Sequence, residues 1–346
     1  MRNVVVVFAL SFALSLAADP VVTSVSPESG PVAGGTTVTI KGTGFNNTCI
    51  LCSPPFADPK VYFGYLEAKS VRLIDATTIE AVTPAHLPTT VSVRVHQFDG
   101  SRTDGVLPSA FLYFGHPEDA FETILFPIFM RRPVDGAFGS RFEMTARVAG
   151  RDMSSRPLYG IDTTCYLFSP TTDPFQPVGL GSERQLLTGC SQSVGRLFYT
   201  LKGSHIAANL RVRDTTRQAS SHGVEIPVVT RDDFSNDGLA FLGVPADPRF
   251  RKMLRVYALG DRNVPTVVIN GVGVSQLIMP PSTLFEPGYA EFTDFPEDLP
   301  PDSTFELRLV QGKGPGGTIL PDSLIWGFLS ITNNETQEIT IISPQP

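Results

Sequence analysis

The sequence has few of the features from which an enzyme or a membrane-spanning protein is usually inferred. It contains one tryptophan and five widely separated histidines in 346 residues. The motifs G-x-S-x-G, H-E-x-x-H and G-x-x-x-x-G-K-[ST] are absent, as is a G-x-G-x-x-G between a strand and a helix. No segment after residue 18 is apolar enough to span a bilayer. These absences favour a binding or structural protein, although carboxylates on separate strands can still converge in space.

An excess of positive charge is also lacking. With 27 Lys and Arg against 34 Asp and Glu, the formal net charge is −7, which gives no electrostatic basis for binding nucleic acid. The one local cluster of arginines is Arg211, Arg213 and Arg217. Leu210 and Val212 alternate with the first two, so the pattern indicates the exposed face of a strand rather than an anion-binding patch.

The sequence predicts no cofactor and no metal site. Each histidine lies beside turn residues without a second ligand at i+2 or i+4, so solvated loop positions are expected for His86, His96, His116, His205 and His222. Two acidic clusters could supply oxygen ligands for Ca²⁺, but neither has a regular loop spacing. Solvated turns are therefore the favoured interpretation of Asp232-Asp233 with Asp237 and of Glu297-Asp298 with Asp302.

Glycine and proline, with 30 residues each, interrupt the chain often enough to favour short strands over long helices. The run Val21 to Val25 is rich in β-branched residues, and a Pro/Gly turn from Ser29 to Gly35 follows it. From Thr36 to Lys41 the residues alternate, with Val38 and Ile40 on one face. Such alternation predicts a strand that buries one side.

These residues resemble a known family. The segment Ser24 to Phe45, S-V-S-P-E-S-G-P-V-A-G-G-T-T-V-T-I-K-G-T-G-F, is similar to the start of a TIG domain, also called IPT, which is an immunoglobulin-like β-sandwich. The resemblance continues through Lys60–Gly64, Asp75–Pro84, Val91–Val95 and Ala110–Tyr113. It implies a sandwich over residues 19–115 and says little about function. The loop Asn46 to Pro59 is longer than the family's usual loop at this point.

The remainder of the chain contains a weak repeat. Arg141 to Gly150 resembles Arg249 to Gly260, and a hairpin from Leu210 to Val229 has a counterpart from Trp326 to Ile342. The spacing is roughly 110 residues, the size of one immunoglobulin-like sandwich. We therefore expect an all-β protein of tandem immunoglobulin-like β-sandwiches, with domains at 19–115, 116–232 and 233–346. One larger β domain over 116–346 is the alternative.

Residues 1–18 have the pattern of a secretory signal peptide. Arg2 begins it, Val4 to Leu16 is apolar, and Ser15-Leu16-Ala17 fits a cleavage site. A membrane anchor is the alternative, but this run is shorter than the ~20 residues that a spanning helix needs. The pattern predicts a secreted or cell-surface protein, with the periplasm also possible, and a mature chain without a membrane span.

An exported chain with four cysteines favours two disulfides. We predict the pairs Cys49–Cys52 and Cys165–Cys190. A C-x-x-C can also be a redox centre or half of a zinc site. The redox alternative needs a helix N-terminus, which this Pro-rich loop lacks. The zinc alternative needs a second pair of ligands, and the sequence has none nearby.

The favoured function is that of an exported, non-catalytic binding or scaffold protein that presents loops to a protein or polysaccharide partner. The alternative is a secreted hydrolase whose catalytic site lies in the C-terminal β region. The first surface to consider is the long loop, because it is an insertion on a rigid scaffold. Its candidate binding residues are Asn46, Asn47, Ile50, Leu51 and Phe56. A tolerated insertion without a partner is the other interpretation.

Overall fold

The computed structural model describes residues 19–100, 103–130, 132–150, 156–159, 178–180, 184–185, 194–204, 206–217, 220–260, 266–270, 275–293, 295, 300, 303–311 and 324–345. Over these ranges the regular structure is β-strand, with short 3₁₀ turns at Pro117–Asp119, Ala137–Gly139 and Arg231–Asp233. The all-β prediction is confirmed. None of the helical segments in these ranges is long and apolar enough to cross a membrane.

The chain divides into two compact units, Met1–His116 and Pro117–Pro346. The strands of the first unit are β1 Val21–Ser26, β2 Ser29–Pro31, β3 Thr37–Thr43, β4 Lys60–Phe63, β5 Leu66–Glu67, β6 Ser70–Asp75, β7 Thr78–Val82, β8 Thr90–His96 and β9 Gly105–Phe114. They form two sheets, with the orders β1-β3-β7-β6 and β2-β9-β8-β4-β5. Only β2 and β9 pair in parallel among these strands. Two such sheets face to face are an immunoglobulin-like sandwich.

The core of the first unit follows the alternation seen in the sequence. Val38 and Ile40 on β3 are fully buried, as predicted, while the threonines between and beside them are not. From the other sheet, Phe63 and Phe111 meet edge to face with ring centroids 5.3 Å apart. Phe45 is also buried, where it closes the end of the core next to Gly42. A Cβ on Gly42 would approach the carbonyl oxygen of Val21 to 2.0 Å, so glycine is required there.

The strands of the second unit fall into two sets by sheet, and we refer to residues 117–230 as its first half and to residues 231–345 as its second half. The strands of the first half are β10 Phe121–Phe126, β11 Val134–Asp135, β12 Arg141–Gly150, β13 Arg156–Tyr159, β14 Val178–Leu180, β15 Arg184–Gln185, β16 Arg196–Leu201, β17 Ile206–Asp214, β18 Val224–Ile226 and β19 Val229–Thr230. Those of the second half are β20 Leu239–Pro245, β21 Phe250–Leu259, β22 Thr266–Asn270, β23 Ser275–Ile278, β24 Gly288–Phe292, β25 Thr304–Gln311, β26 Leu324–Asn333 and β27 Ile339–Ile342.

The two halves have equivalent sheets. The order β14-β13-β16-β10 corresponds to β23-β22-β25-β20, and β12-β17-β18 corresponds to β21-β26-β27. The repeated segment that the sequence showed is β12 in one half and β21 in the other. Both predicted hairpins are present, with Leu210 opposite Ile226 and Leu329 opposite Ile342. Tandem β-sandwiches are thus observed, while the exact domain boundary near residue 232 stays a prediction.

Polar contacts join the two halves of the second unit. The buried Tyr257 hydroxyl donates to the backbone oxygen of Pro127 and lies 3.2 Å from that of Val194. The Tyr199 hydroxyl donates to the backbone oxygen of Leu284. Each half thus supplies one tyrosine to the other half's backbone. Burial raises the pKa of Tyr257 well above its usual range, so its hydroxyl keeps its proton.

We expect Tyr257→Phe to lower the free energy of unfolding of the second unit by about 1–3 kcal/mol, because the backbone oxygen of the buried Pro127 loses its donor. Tyr289→Phe is the matched control, since the Tyr289 hydroxyl bonds to Glu291 at an exposed position of the same half. Its effect should stay within about 0.5 kcal/mol. Denaturant unfolding measures both variants, and equal stability of the two would show that the Tyr257 hydroxyl does not hold the halves together.

Candidate functional site

The long loop of the first unit connects β3 to β4 and folds back on itself. Thr48 and Phe56 form an isolated antiparallel bridge. On either side of it, the Cys49 N–H donates to the Pro55 oxygen and the Ala57 N–H donates to the Asn47 oxygen, both at 2.9 Å. The loop is therefore a small hairpin with its own hydrogen bonds.

A disulfide closes the tip of this hairpin. Cys49 and Cys52 are bonded, with their Cα atoms 5.3 Å apart, as the sequence predicted. Cys49 is buried, whereas Cys52 is exposed. Cys165 and Cys190 lie outside the described residues, so their pairing stays a prediction.

Asn46 anchors the base of the loop through its backbone N–H and the two polar atoms of its side chain. Its backbone N–H donates to Gln97 Oε1 at 2.7 Å, and its Nδ2 donates to Asp99 Oδ2 at 2.7 Å. Its Oδ1 accepts the Thr48 N–H at 3.0 Å. Gln97 and Asp99 are buried, so these bonds are sheltered from water. Of the candidate residues, Asn46 therefore positions the loop rather than offering a contact.

The tip of the loop exposes apolar side chains. The exposed fraction is 64% for Ile50, 97% for Leu51 and 65% for Phe56. We call these three side chains the apolar tip. Asn47, the remaining candidate, is exposed beside them. Neighbouring exposed apolar side chains of this kind mark an interaction site more often than single exposed ones do.

Other residues singled out in the sequence have structural roles. The prediction of a solvated loop position is wrong for His86, which is fully buried, with Nδ1 2.8 Å from the Leu87 oxygen and its ring stacked on Tyr113. A backbone carbonyl satisfies the imidazole, so the ring can enter the core. A loop position is also wrong for His96, which ends strand β8 and bonds to Asp104 because that carboxylate lies opposite it. His116 and His222 are exposed, as expected. His205 lies outside the described residues.

The charged clusters likewise have internal partners. Arg211 pairs with Glu225 at 2.9 Å and Arg213 with Glu143 at 3.2 Å, as expected for the exposed face of a strand. The Asp233 carboxylate accepts the N–H of Thr230 and so caps a 3₁₀ turn. Glu297, Asp298 and Asp302 lie outside the described residues. In the part of the chain that is described, no three His, Cys, Asp or Glu side chains converge on a metal site.

The second unit contains a cleft that the sequence did not predict. It has a volume of about 690 Å³ and is lined from both halves, by Ile128, Val134 and Phe142 of the first and by Arg251, Met253 and Ile339 of the second. Its described lining residues include no Asp, Glu or His. Because the lining comes from strands about 110 residues apart, no local pattern could have revealed it.

A comparison with protein families gives a match within the first unit. Residues 20–109 match the model described as IPT/TIG domain. The first unit carries an IPT/TIG domain. A search of curated proteins found no match.

Solved structures resemble the chain only remotely. A gamma-CGTase from alkalophilic Bacillus clarkii aligns with a TM-score of 0.23 and 17% identity, over 63% of this chain and 25% of that chain. SGBP-B from a complex xyloglucan utilization locus in Bacteroides uniformis aligns with a TM-score of 0.21 and 12% identity, over 94% of this chain and 74% of that chain. An auxiliary nutrient binding protein from Bacteroides ovatus aligns with a TM-score of 0.24 and 11% identity, over 94% of this chain and 70% of that chain. The chain thus spans a quarter of the length of the first protein, and such low TM-scores carry no inference about function.

A cluster of charged and polar side chains, Arg94, His96 and Asp104, holds the end of strand β8 in the TIG domain. Asp104 accepts bonds from Arg94 Nη1 and His96 Nδ1, both at 2.8 Å, and the Arg94 guanidinium lies over the Tyr62 ring. Burial alone would raise the pKa of Asp104, but the hydrogen bonds from His96 and Arg94 outweigh it and lower the pKa. Because β8 leads directly to Gln97, this cluster supports the base of the loop.

A carboxyl group with a lowered pKa stabilises the folded state above its unfolded pKa of about 3.9, and that contribution is lost as the pH falls through the folded pKa. We therefore expect Asp104→Asn to reduce the stability of the TIG domain at pH 7 and to flatten its loss of stability below about pH 4. Denaturant unfolding at pH 7 and at pH 3 measures the difference. An unchanged pH dependence would mean that Asp104 contributes nothing to acid sensitivity.

The disulfide has a chemical test. Peptide mapping of unreduced protein should show Cys49 joined to Cys52, and Cys165 joined to Cys190. Replacing both Cys49 and Cys52 by serine should cost about 2 kcal/mol or less, because a short closed loop restrains the unfolded chain only a little. A peptide joining Cys49 or Cys52 to Cys165 or Cys190 would contradict the predicted connectivity.

Proposed function

We propose that this is an exported binding protein that performs no chemistry on its partner, and that the apolar tip of the TIG domain contacts another protein. The observation that carries the proposal is the exposure of Ile50, Leu51 and Phe56 on a loop that is closed by a disulfide and anchored by Asn46. The loop could instead be a tolerated insertion, which the binding experiment below would reveal.

The rigidity of the loop matters because ordering a flexible segment upon binding costs free energy. In this loop the disulfide, the bridge from Thr48 to Phe56 and the bonds of Asn46 impose that order beforehand. Ile50 is further fixed, because its N–H donates to the Phe98 oxygen at 3.1 Å. A partner that covers the tip gains apolar burial at a small entropic cost.

The chemistry of the tip favours a protein over a polysaccharide. Sugars are usually held by flat aromatic faces and by directed hydrogen bonds, whereas Ile50 and Leu51 are branched aliphatic side chains without either. Phe56 alone offers a ring, and the single tryptophan, Trp326, is buried. Apolar anchors that enter a pocket on the partner are typical of protein interfaces.

Export is supported by two features. The pattern of residues 1–18 is that of a signal peptide, and the Cys49–Cys52 disulfide suits an oxidising compartment. We therefore place the protein outside the cytoplasm, secreted or at the cell surface.

The hydrolase alternative finds little support in the concave surface of the C-terminal region. A glycosidase needs two carboxyl groups that flank the scissile bond, and a serine hydrolase needs a base beside its nucleophile. The described lining of the cleft offers hydroxyl groups, such as that of Ser330, but neither a carboxylate nor an imidazole. This favours binding over hydrolysis at that surface.

The test is an affinity capture from the surface and secreted proteins of the producing cell, with the mature chain as bait. Leu51→Asp should reduce the captured partner roughly tenfold or more, because a charge would enter the apolar contact. Ile74→Asp is the matched control, since Ile74 is an exposed apolar residue of β6 in the same domain. Both substitutions should leave the unfolding transition unchanged, and mass spectrometry would quantify the capture.

Equal capture by wild type and Leu51→Asp would show that the loop does not bind the partner. A glycan array bound by wild type but not by Leu51→Asp would make the partner a polysaccharide. Turnover of a glycan, ester or peptide substrate by the purified protein would overturn the proposal that it performs no chemistry.

A further inference from the structure

The cleft of the second unit is lined mainly by apolar side chains. Ile128, Val134 and Phe142 line it from the first half, and Met253, Ile339 and Ile341 line it from the second. Apolar walls that face water favour a ligand whose apolar body covers them. At about 690 Å³, the cleft falls within the range of small-molecule sites.

Charge in the cleft is of one sign. Arg251, Lys252 and Arg255 on β21 line it, and the described lining includes no acidic side chain. Two of these cations have local compensation. Lys252 Nζ donates to the backbone oxygens of Asp247 and Phe250, and its charge helps to lower the pKa of the Asp247 carboxyl group. Arg255 Nε lies 3.4 Å from Glu291 Oε1.

Arg251 differs, because its hydrogen-bond partners are neutral. Its Nη1 donates to Asn334 Oδ1 and its Nη2 to Gln337 Oε1, both at 2.9 Å. Among the described residues, no carboxylate forms an ion pair with it. Burial and then the positive charge of Arg217 lower the pKa of Arg251. A partly buried cation beside a second cation is a position where an anion is stabilised.

A strained turn holds these two arginines together at the cleft. Phe138 has φ of 55°, a left-handed conformation that is uncommon for a bulky side chain. Its ring lies under Arg251, with the guanidinium carbon 5.1 Å from the ring centroid, and its backbone oxygen accepts a bond from Arg217 Nη2. Such strained residues cluster at binding sites, where the surrounding structure maintains them.

We propose that this cleft binds a small amphipathic carboxylate, whose apolar body lies between the two halves and whose carboxylate pairs with Arg251. The guanidinium offers N–H donors beyond the two that Asn334 and Gln337 occupy, in a geometry that matches a carboxylate. A single negative charge matches Arg251, which forms no ion pair with a described carboxylate. The apolar walls account for the rest of the affinity through burial of the ligand's body.

The experiment uses the full mature chain and two probes with the same apolar body, 1-pyrenebutyrate and the neutral 1-pyrenebutanol. Fluorescence titration should show saturable binding, with the carboxylate bound roughly tenfold or more tightly than the alcohol. Arg251→Met should remove this preference and leave the alcohol's affinity unchanged. Arg249→Met is the matched control, because Arg249 pairs with Asp247 at an exposed position two residues away and should change neither affinity.

A second variant tests the apolar walls. Ile339→Trp should fill part of the cleft and weaken both probes together. Equal affinity of wild type for the carboxylate and the alcohol would overturn the proposal, as would binding that Ile339→Trp leaves intact. If Arg251→Met failed to fold, Arg251→Lys would retain the charge, and the comparison of the two probes on wild type and Ile339→Trp would still decide the matter.

Discussion

Two buried tyrosine hydroxyls, each bonded to the backbone of the opposite half, hold the second unit together. Tyr257 and Tyr199 supply these bonds, and the Leu197 N–H adds a backbone bond to the Phe285 oxygen at 2.9 Å. The close approach depends on Gly195, because a Cβ there would lie 2.8 Å from Tyr257 Cε1. Since no described ladder pairs a strand of one half with a strand of the other, these contacts fix how the repeated sandwiches meet.

The cleft depends on this junction. Its walls are residues that each sandwich would otherwise expose to water, so its shape exists only while both halves keep their relative position. The same constraint lets Arg251 of β21 stack on Phe138, which belongs to a turn of the first half. A site built between two repeats in this way can be selective although neither repeat contains a catalytic pattern. Ligand pockets commonly occur at such boundaries between packed modules.

The parts of the structure that the sequence predicted well depend on local patterns. Val38 and Ile40 alternate with polar residues, and the spacing of Cys49 and Cys52 closes a loop within its own segment. Prediction failed where a distant partner decides the outcome. His86 lies in the core because the ring of Tyr113, on strand β9, stacks on it, and Arg251 meets Phe138 across more than 100 residues. The alternation of apolar and polar residues and the turn residues specify the strands, whereas only tertiary packing specifies these contacts.

The apolar tip and the cleft require different kinds of ligand. The tip is exposed and uncharged, so a partner buries it in a pocket of its own, and its affinity should depend little on salt. The cleft is concave and cationic, so it can enclose a small anion, whose affinity should fall as salt screens Arg251. Because the two sites lie in separate compact units and share no residue, Leu51→Asp should leave probe binding unchanged, and Arg251→Met should leave partner capture unchanged. Coupling between the two measurements would show that the protein uses both surfaces for one ligand.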